Sequence, residues 1–581
     1  MFISWHLLRP EVFSDDAFVH QYWMWQFRDA ALFNDSLTAD LRGSSRYPVG
    51  YQALFGLATQ VFSPITFGEW LGVGLMAISG WLVFLIVRDH SAWRPAAWIA
   101  AALFLALLDI NRFHGGFQRA FVHPVVLLTV LLAMRRHHLA AALVAAAAAL
   151  VYPPAALLAV GVLAVCAVRW PGRRPSVDWR RAAYAALALG LAAGAVLVPA
   201  LLSRGASEVL TATEARGFPE FGPNGPLHFF VPSILDYVRQ NRSGFDLRAT
   251  GSTLLLAGLA LLMVRRANVR LMRAEVLALP VVALGAYAMA QAVLFRLYLP
   301  HRYTYPLVAF LAIVVGVALA PTWSALWARP GPRLRAFAVL CAPAGAYALA
   351  LYAFPLGPTE PLAGLASWKA VSLAGGVMIA AAWVALTLER TRNPAAAGAL
   401  VTGVALVALL VLAGQGTRGQ ACPTRAATVY LASLPKDAVI AGDPNDLKCL
   451  PATTRRAVVI STQLAPSYEA AYFRRSRARM FAMLRAYYGP STSAIADLRT
   501  RYGATDLWIR RSAIESEMAP QGNRWPGRRL PYGRFVRQLV RTGEPATLHL
   551  PVSCSRWDNG SEAVYDIRCL QAVATSRLDS G

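Results

Sequence analysis

The chain has 581 residues, 56% of them hydrophobic and only 15% charged, with a formal net charge of +25 and a mean hydropathy of +0.44. That is too little charge to cover a soluble protein of this length, and it assigns most of the chain to a bilayer. The positive charge does not point to nucleic acid, because many arginines sit in short loops between apolar runs, and no GxxxxGK[ST] or GxSxG motif supports an ATP-driven pump or a serine hydrolase.

Residues 1–65 form the first polar segment. Met1–Leu8 is apolar but too short for a signal peptide or a span. Ser14 is the expected N-cap of a helix whose first turn holds Asp15 and Asp16, where acids suit the helix dipole. Phe18, Tyr22, Trp23, Trp25 and Phe27 predict that this helix lies along the membrane interface. Arg46-Tyr47-Pro48 opens a second amphipathic run, 48–62, read as another interfacial helix. The Asp15-Asp16 pair has two readings: capping acids, or carboxylates at the membrane surface that act as general base or hold a divalent cation, Mg2+ or Mn2+.

Apolar runs able to cross about 30 Å follow near 66–87, 95–110, 118–134, 182–202, 249–264, 274–294, 306–328, 336–354, 368–388 and 396–413. The run 139–168 is broken by Tyr152-Pro153-Pro154 and reads as two short spans or a re-entrant hairpin. Either way the chain returns to its starting side. The expected fold class is therefore an α-helical polytopic membrane protein of about twelve spans, with a transmembrane core over 66–413. The loops carrying Arg88/Arg94, Arg135/Arg136, Arg169–Arg181, Arg265–Arg273, Arg329–Arg335 and Arg390/Arg392 alternate in this scheme. All six fall on one side, which the positive-inside rule makes cytoplasmic. Residues 1–65, 111–117, 203–248, 295–305, 355–367 and everything after about 414 then lie on the outer side. An N-terminus on that side is awkward to insert, so an upstream helix is expected, which would make thirteen spans.

The outer loops collect Arg and His beside aromatics. Asn111-Arg112-Phe113-His114-Gly115-Gly116-Phe117-Gln118-Arg119 tops a hairpin whose returning helix contains His123. The loop 216–230 holds Glu220 and His228 among Pro and Gly, which make it irregular but shaped. The segment 295–305 carries Arg296, Tyr298, His301 and Arg302. Two arginines on the outer side run against the charge rule. They need a reason to be there: bidentate binding of phosphate, or snorkelling to lipid headgroups. His20, His114, His123, His228 and His301 lack zinc-site spacing.

Residues 414–581 read as a small soluble α/β domain, with β-like runs at 437–442, 457–461, 505–510, 546–552 and 563–569 and helices at 467–488 and 492–502. Cys422, Cys449, Cys554 and Cys569 fall on the oxidising side and permit two disulfides. Of three pairings, Cys422–Cys449 with Cys554–Cys569 closes the shortest loops. Asp443-Pro444-Asn445-Asp446 reads as a turn.

A multi-span core, an acidic pair in the first outer loop, interfacial helices and an outer soluble domain together resemble the GT-C superfamily of integral-membrane glycosyltransferases. More narrowly, the run Asp15–Phe27, Pro219-Glu220-Phe221-Gly222, Leu297–Tyr303, Leu434-Pro435-Lys436-Asp437 and Ala486-Tyr487-Tyr488 are similar to a bacterial group of GT-C-like proteins. The resemblance implies a polyprenyl-phosphate or -pyrophosphate sugar donor, a glycan, lipid or protein acceptor, and a place in the bacterial inner membrane with the active face outside the cytoplasm. It implies that Asp15 or Asp16 deprotonates the acceptor hydroxyl or binds the cation. Arg296 and Arg302, with Arg119, would hold the phosphate, and Glu220, His228, Tyr298 and His301 would line the substrate. No WWDYG-type motif occurs, which argues against protein N-glycosylation. Two other classes stay open: a transporter or flippase for a lipid-linked substrate, and a non-catalytic envelope assembly protein that binds through 414–581. Against the first, the acids picked out in or near spans, Asp109 and Glu69, stand near span ends, and no inverted repeat is evident.

Overall fold

The computed structural model describes residues 12–13, 16–42, 47–91, 94–108, 112–169, 175–202, 208–227, 229–233, 272–297, 299–328, 420–421, 426–465, 467–519 and 531–579. Short helices α1 (Ala17–His20), α2 (Ser36–Arg42) and α3 (Val49–Ala58) precede the long helix α4 (Pro64–His90). Ser63 caps α4 by accepting the Thr66 N–H, and Pro64 occupies the first turn, where its missing N–H costs nothing. Then come α5 (Arg94–Leu107), α6 (Val122–Met134), α7 (His138–Ala147), α8 (Pro153–Ala167), α9 (Trp179–Leu202), α10 (Ala212–Arg216), α11 (Ala274–Ala292) and α12 (Pro306–Ala328).

Three of these, Pro64–His90, Trp179–Val198 within α9, and Ala274–Ala292, are long and apolar enough to cross a bilayer. The Tyr152-Pro153-Pro154 break separates α7 from α8, which pack on each other. Helix α8 is central and also touches α6, α9 and α11. Where α7, α8 and α9 meet, the buried residues include Ala141, Ala142, Ala145, Ala159, Ala185 and Ala188, small side chains that let helix backbones approach closely in lipid. The predicted runs 249–264, 336–354, 368–388 and 396–413 lie outside the described residues.

The arginine loops gather at one end. Arg135 Nε lies 2.9 Å from Asp89 Oδ2, Arg273 Nη1 donates to the Met134 carbonyl at 2.9 Å, and Arg181 Nη1 is 3.8 Å from Glu275 Oε1. Four loops far apart in sequence therefore share that end. Arg329–Arg335, Arg390 and Arg392 lie outside the described residues.

The C-terminal part is built on a five-stranded sheet of β1 (Val439–Ala441), β2 (Ala457–Val458), β3 (Asp506–Arg510), β4 (Ser555–Asp558) and β5 (Glu562–Asp566). The strand order is β2-β1-β3-β5-β4. β1 runs parallel to β2 and β3, while β5 is antiparallel to β3 and β4. Helix α13 (Ala470–Tyr488) lies within the predicted 467–488. The expected strand at 546–552 is instead 3-10 turns, Ala546–His549 and Val552–Cys554, because Pro545 and Pro551 remove ladder donors and fix φ. Cys554 and Cys569 form a disulfide. Cys449 is also disulfide-bonded, and Cys422 lies outside the described residues.

The first segment corrects an expectation. The aromatics of 18–25 do not lie on a lipid surface: Phe18, Tyr22, Trp23 and Trp25 are buried. Tyr22, Trp23 and Trp25 share one hydrophobic core with Leu431, Ile440, Leu447, Tyr472 and Tyr487 of the C-terminal part. Nor do they lie on one helical face, since α1 gives way to a 3-10 helix, Tyr22–Phe27. Arg455 stacks 3.8 Å from the Trp25 ring, Lys436 pairs with Asp29 at 2.6 Å and Arg475 with Asp40 at 2.8 Å. Helix α3 differs: it buries Tyr51 and Phe55 but leaves Val49 and Leu57 exposed.

Candidate active site

The site is assembled from three loop segments. In the tip between α5 and α6, Gly115 and Gly116 have φ of +83° and +59°, a backbone that favours glycine. A Cβ on Gly116 would stand 2.4 Å from the Gly68 carbonyl oxygen, so the tip sits directly on α4. Three groups hold it there. The Gly115 N–H donates to Glu69 Oε2 at 3.3 Å, the Gln21 side-chain amide donates to the Gly115 carbonyl, and the Tyr51 hydroxyl donates to the Gly116 carbonyl at 3.3 Å. His114 Nε2 lies 3.2 Å from Glu69 Oε1, both groups buried.

A 3-10 turn, Gln118–Phe121, follows the tip and presents Arg119. Its guanidinium donates to Asp16 Oδ2. Asp16 stands at the start of α1, one turn before Gln21, so the amide on Gly115 and the carboxylate on Arg119 tie the same two segments together. The third segment ends in a 3-10 turn, Pro300–Arg302. Arg302 Nη1 donates to the Tyr305 hydroxyl at 2.5 Å, and Arg112 stacks on the Tyr305 ring at 3.9 Å.

Charge dominates this arrangement. Burial pushes the Asp16 carboxyl up, but Arg119, His20 and Arg302 outweigh it and bring the carboxyl down to about 2. Asp16 is thus ionised at neutral pH and, while paired, is a weak base. His20 is itself fixed by its Nδ1 contact with the Tyr47 hydroxyl at 2.8 Å.

The structure thus pairs Asp16 with Arg119, 103 residues away, and sets Arg302 close enough to act on both by charge. His301 is adjacent, its ring 6.3 Å from that of Tyr305. Arg296 is exposed, and the cations that act most strongly on Asp16 do not include it. Glu220 is engaged differently: it is buried and accepts from Arg477 Nε of α13 at 2.6 Å, next to an Arg474–Glu214 pair at 2.9 Å, so it docks its loop onto the C-terminal part. His123 packs as an aromatic, stacked on Phe113 and Tyr305. Asp15, His228 and Tyr298 lie outside the described residues. Among the described residues no three His, Cys, Asp or Glu side chains are grouped to hold a metal. Sequence reading gave Gln21, Glu69, Arg112 and Tyr305 no place in the site. The Gly115-Gly116 pair was the one local signal that something must approach that tip closely.

The fold is similar to that of solved proteins. Two crystal structures of ArnT from Cupriavidus metallidurans, one bound to undecaprenyl phosphate and one in the apo state, superpose with a TM-score of 0.53 over 89% of this chain and 92% of that one, at 16% identity. No family model and no curated protein sequence matches the chain, so the likeness to ArnT is one of fold. It extends over most of the chain and agrees with a membrane location.

Proposed function

We propose that this chain is a membrane glycosyltransferase that moves a sugar from a polyprenyl-phosphate or -pyrophosphate donor to an acceptor hydroxyl on the outer face of the bacterial inner membrane. One observation carries the reading: Asp16, Arg119 and Arg302 converge at the end of the helices remote from the arginine loops, within a fold whose solved counterpart binds undecaprenyl phosphate. Arginine guanidiniums suit the donor phosphate by planar, bidentate geometry. As the acceptor oxygen bonds to the anomeric carbon, its proton passes to the Asp16 carboxylate. The sugar–phosphate C–O bond breaks, and the electron pair leaves on the lipid phosphate, where arginine stabilises it. A single displacement inverts the anomeric centre.

In this reading Asp16 is the base. The other arrangement the sequence allows is Mg2+ or Mn2+ held by Asp15 and Asp16, and chelation separates the two: transfer that survives EDTA fits the base. The direct test is Asp16→Asn, assayed for sugar release from a polyprenyl-phosphate donor in membranes. Transfer should fall by about 10²–10⁴-fold with the fold retained, and full activity in this variant would sink the proposal. Lipid-linked sugars that accumulate when the gene is deleted would identify the donor.

A further inference from the structure

We infer that Arg119 is a switch between two anions: it holds Asp16 in the resting protein and transfers to the lipid phosphate when the donor binds, releasing Asp16 to act as base. This rests on the glycosyltransferase reading and adds a coupling to it. The observation behind it is a conflict of roles. Arg119 is one of the cations placed to receive a phosphate, yet it donates directly to Asp16, and its side chain is only 14% exposed, leaving little room to serve both at once. A carboxylate held by a guanidinium accepts a proton poorly, and a guanidinium committed to a carboxylate binds phosphate poorly. Each group is therefore masked by the other until the donor arrives. Arg302 is close enough to act by charge on both Asp16 and Arg119, and it remains anchored to the Tyr305 hydroxyl. It can stay with the phosphate throughout while Arg119 moves.

The exchange has a purpose in the reaction. Negative charge grows on the phosphate as the C–O bond breaks, while Asp16 loses its charge to the acceptor proton. The guanidinium is by then already on the group where charge grows and off the group where it is lost. A donor-free site is also kept from activating water or acceptor prematurely.

The coupling makes an unusual demand: removing the proposed base should improve binding of the carrier. Undecaprenyl phosphate binding to the full chain in nanodiscs would be measured for the wild type, Asp16→Asn, Arg119→Gln and the double variant. Asp16→Asn should bind about tenfold more tightly than the wild type, because the fraction of Arg119 available no longer has to be released first. In the Arg119→Gln background the same substitution should change affinity by less than about twofold. Asp16→Ala reads the same way if the amide variant misfolds. Unchanged or weaker binding in folded Asp16→Asn and Asp16→Ala would overturn the exchange alone. A wild-type chain that binds no polyprenyl phosphate would overturn the exchange and the glycosyltransferase reading together.

Discussion

At one end of the helices Arg135 and Arg169 keep 37% and 59% of their side chains exposed and pair with Asp89 and Asp178. At the other end Arg119 and Arg112 retain only 14% and 8%. The first set meets carboxylates in water, where an ion pair contributes about 0–1 kcal/mol; the positive-inside rule accounts for arginines of this kind without any ligand. The second set is desolvated against Asp16, Phe117 and Tyr305, and burying a guanidinium is costly unless something compensates it. The same residue type, enriched throughout this chain, thus sorts into a topological group and a chemical group by burial alone.

That contrast can be broken by substitution. The largest effect after loss of Asp16 is expected at Arg119: Arg119→Gln should lower transfer by about 10²–10³-fold. Arg119→Lys should recover little of it, since an ammonium cannot reproduce the planar fork. Recovery to wild-type kcat by lysine would mean that only charge matters there. A smaller effect is expected one contact away. Glu69→Ala leaves the Gly115 N–H without its acceptor and should lower stability by about 1–3 kcal/mol, with a roughly tenfold loss of transfer as Arg119 loses its seat. Thermal unfolding and kinetics on one preparation would separate the two. At the opposite end, Arg135→Ala should shift stability by less than about 1 kcal/mol and leave transfer unchanged; a large loss of activity there would erase the distinction between the ends.

The helical part was legible where composition acts over many residues. The Tyr152-Pro153-Pro154 break and the arginine loops mark boundaries that the structure places at helix ends. The joining of Asp16 to Arg119 and Arg302 was legible only as a shared side, because a side-chain pair 103 residues apart leaves no local pattern. The aromatics at 18–25 were misassigned for a physical reason. A protein core and a membrane interface both accept Tyr and Trp, and the sequence does not say which surface will cover them. Glu220 is a related case: an acid in a shaped loop can serve a ligand or a neighbouring helix, and here Arg477 takes it.

The core shared by the first segment and the C-terminal sheet has a consequence for biosynthesis. Asp29 and its partner Lys436 are separated by 407 residues, and all the described membrane helices are threaded between them. During translation, Trp23 and Trp25 must wait through the insertion of those helices before the residues that bury them emerge. Until then an apolar aromatic cluster stands uncovered, a state that invites chaperone binding or a temporary stay at the lipid surface. The segment that carries the carboxylate we assign as base is therefore fully buried only once the far end of the polypeptide has folded onto it, so a truncated chain would leave Trp23 and Trp25 uncovered.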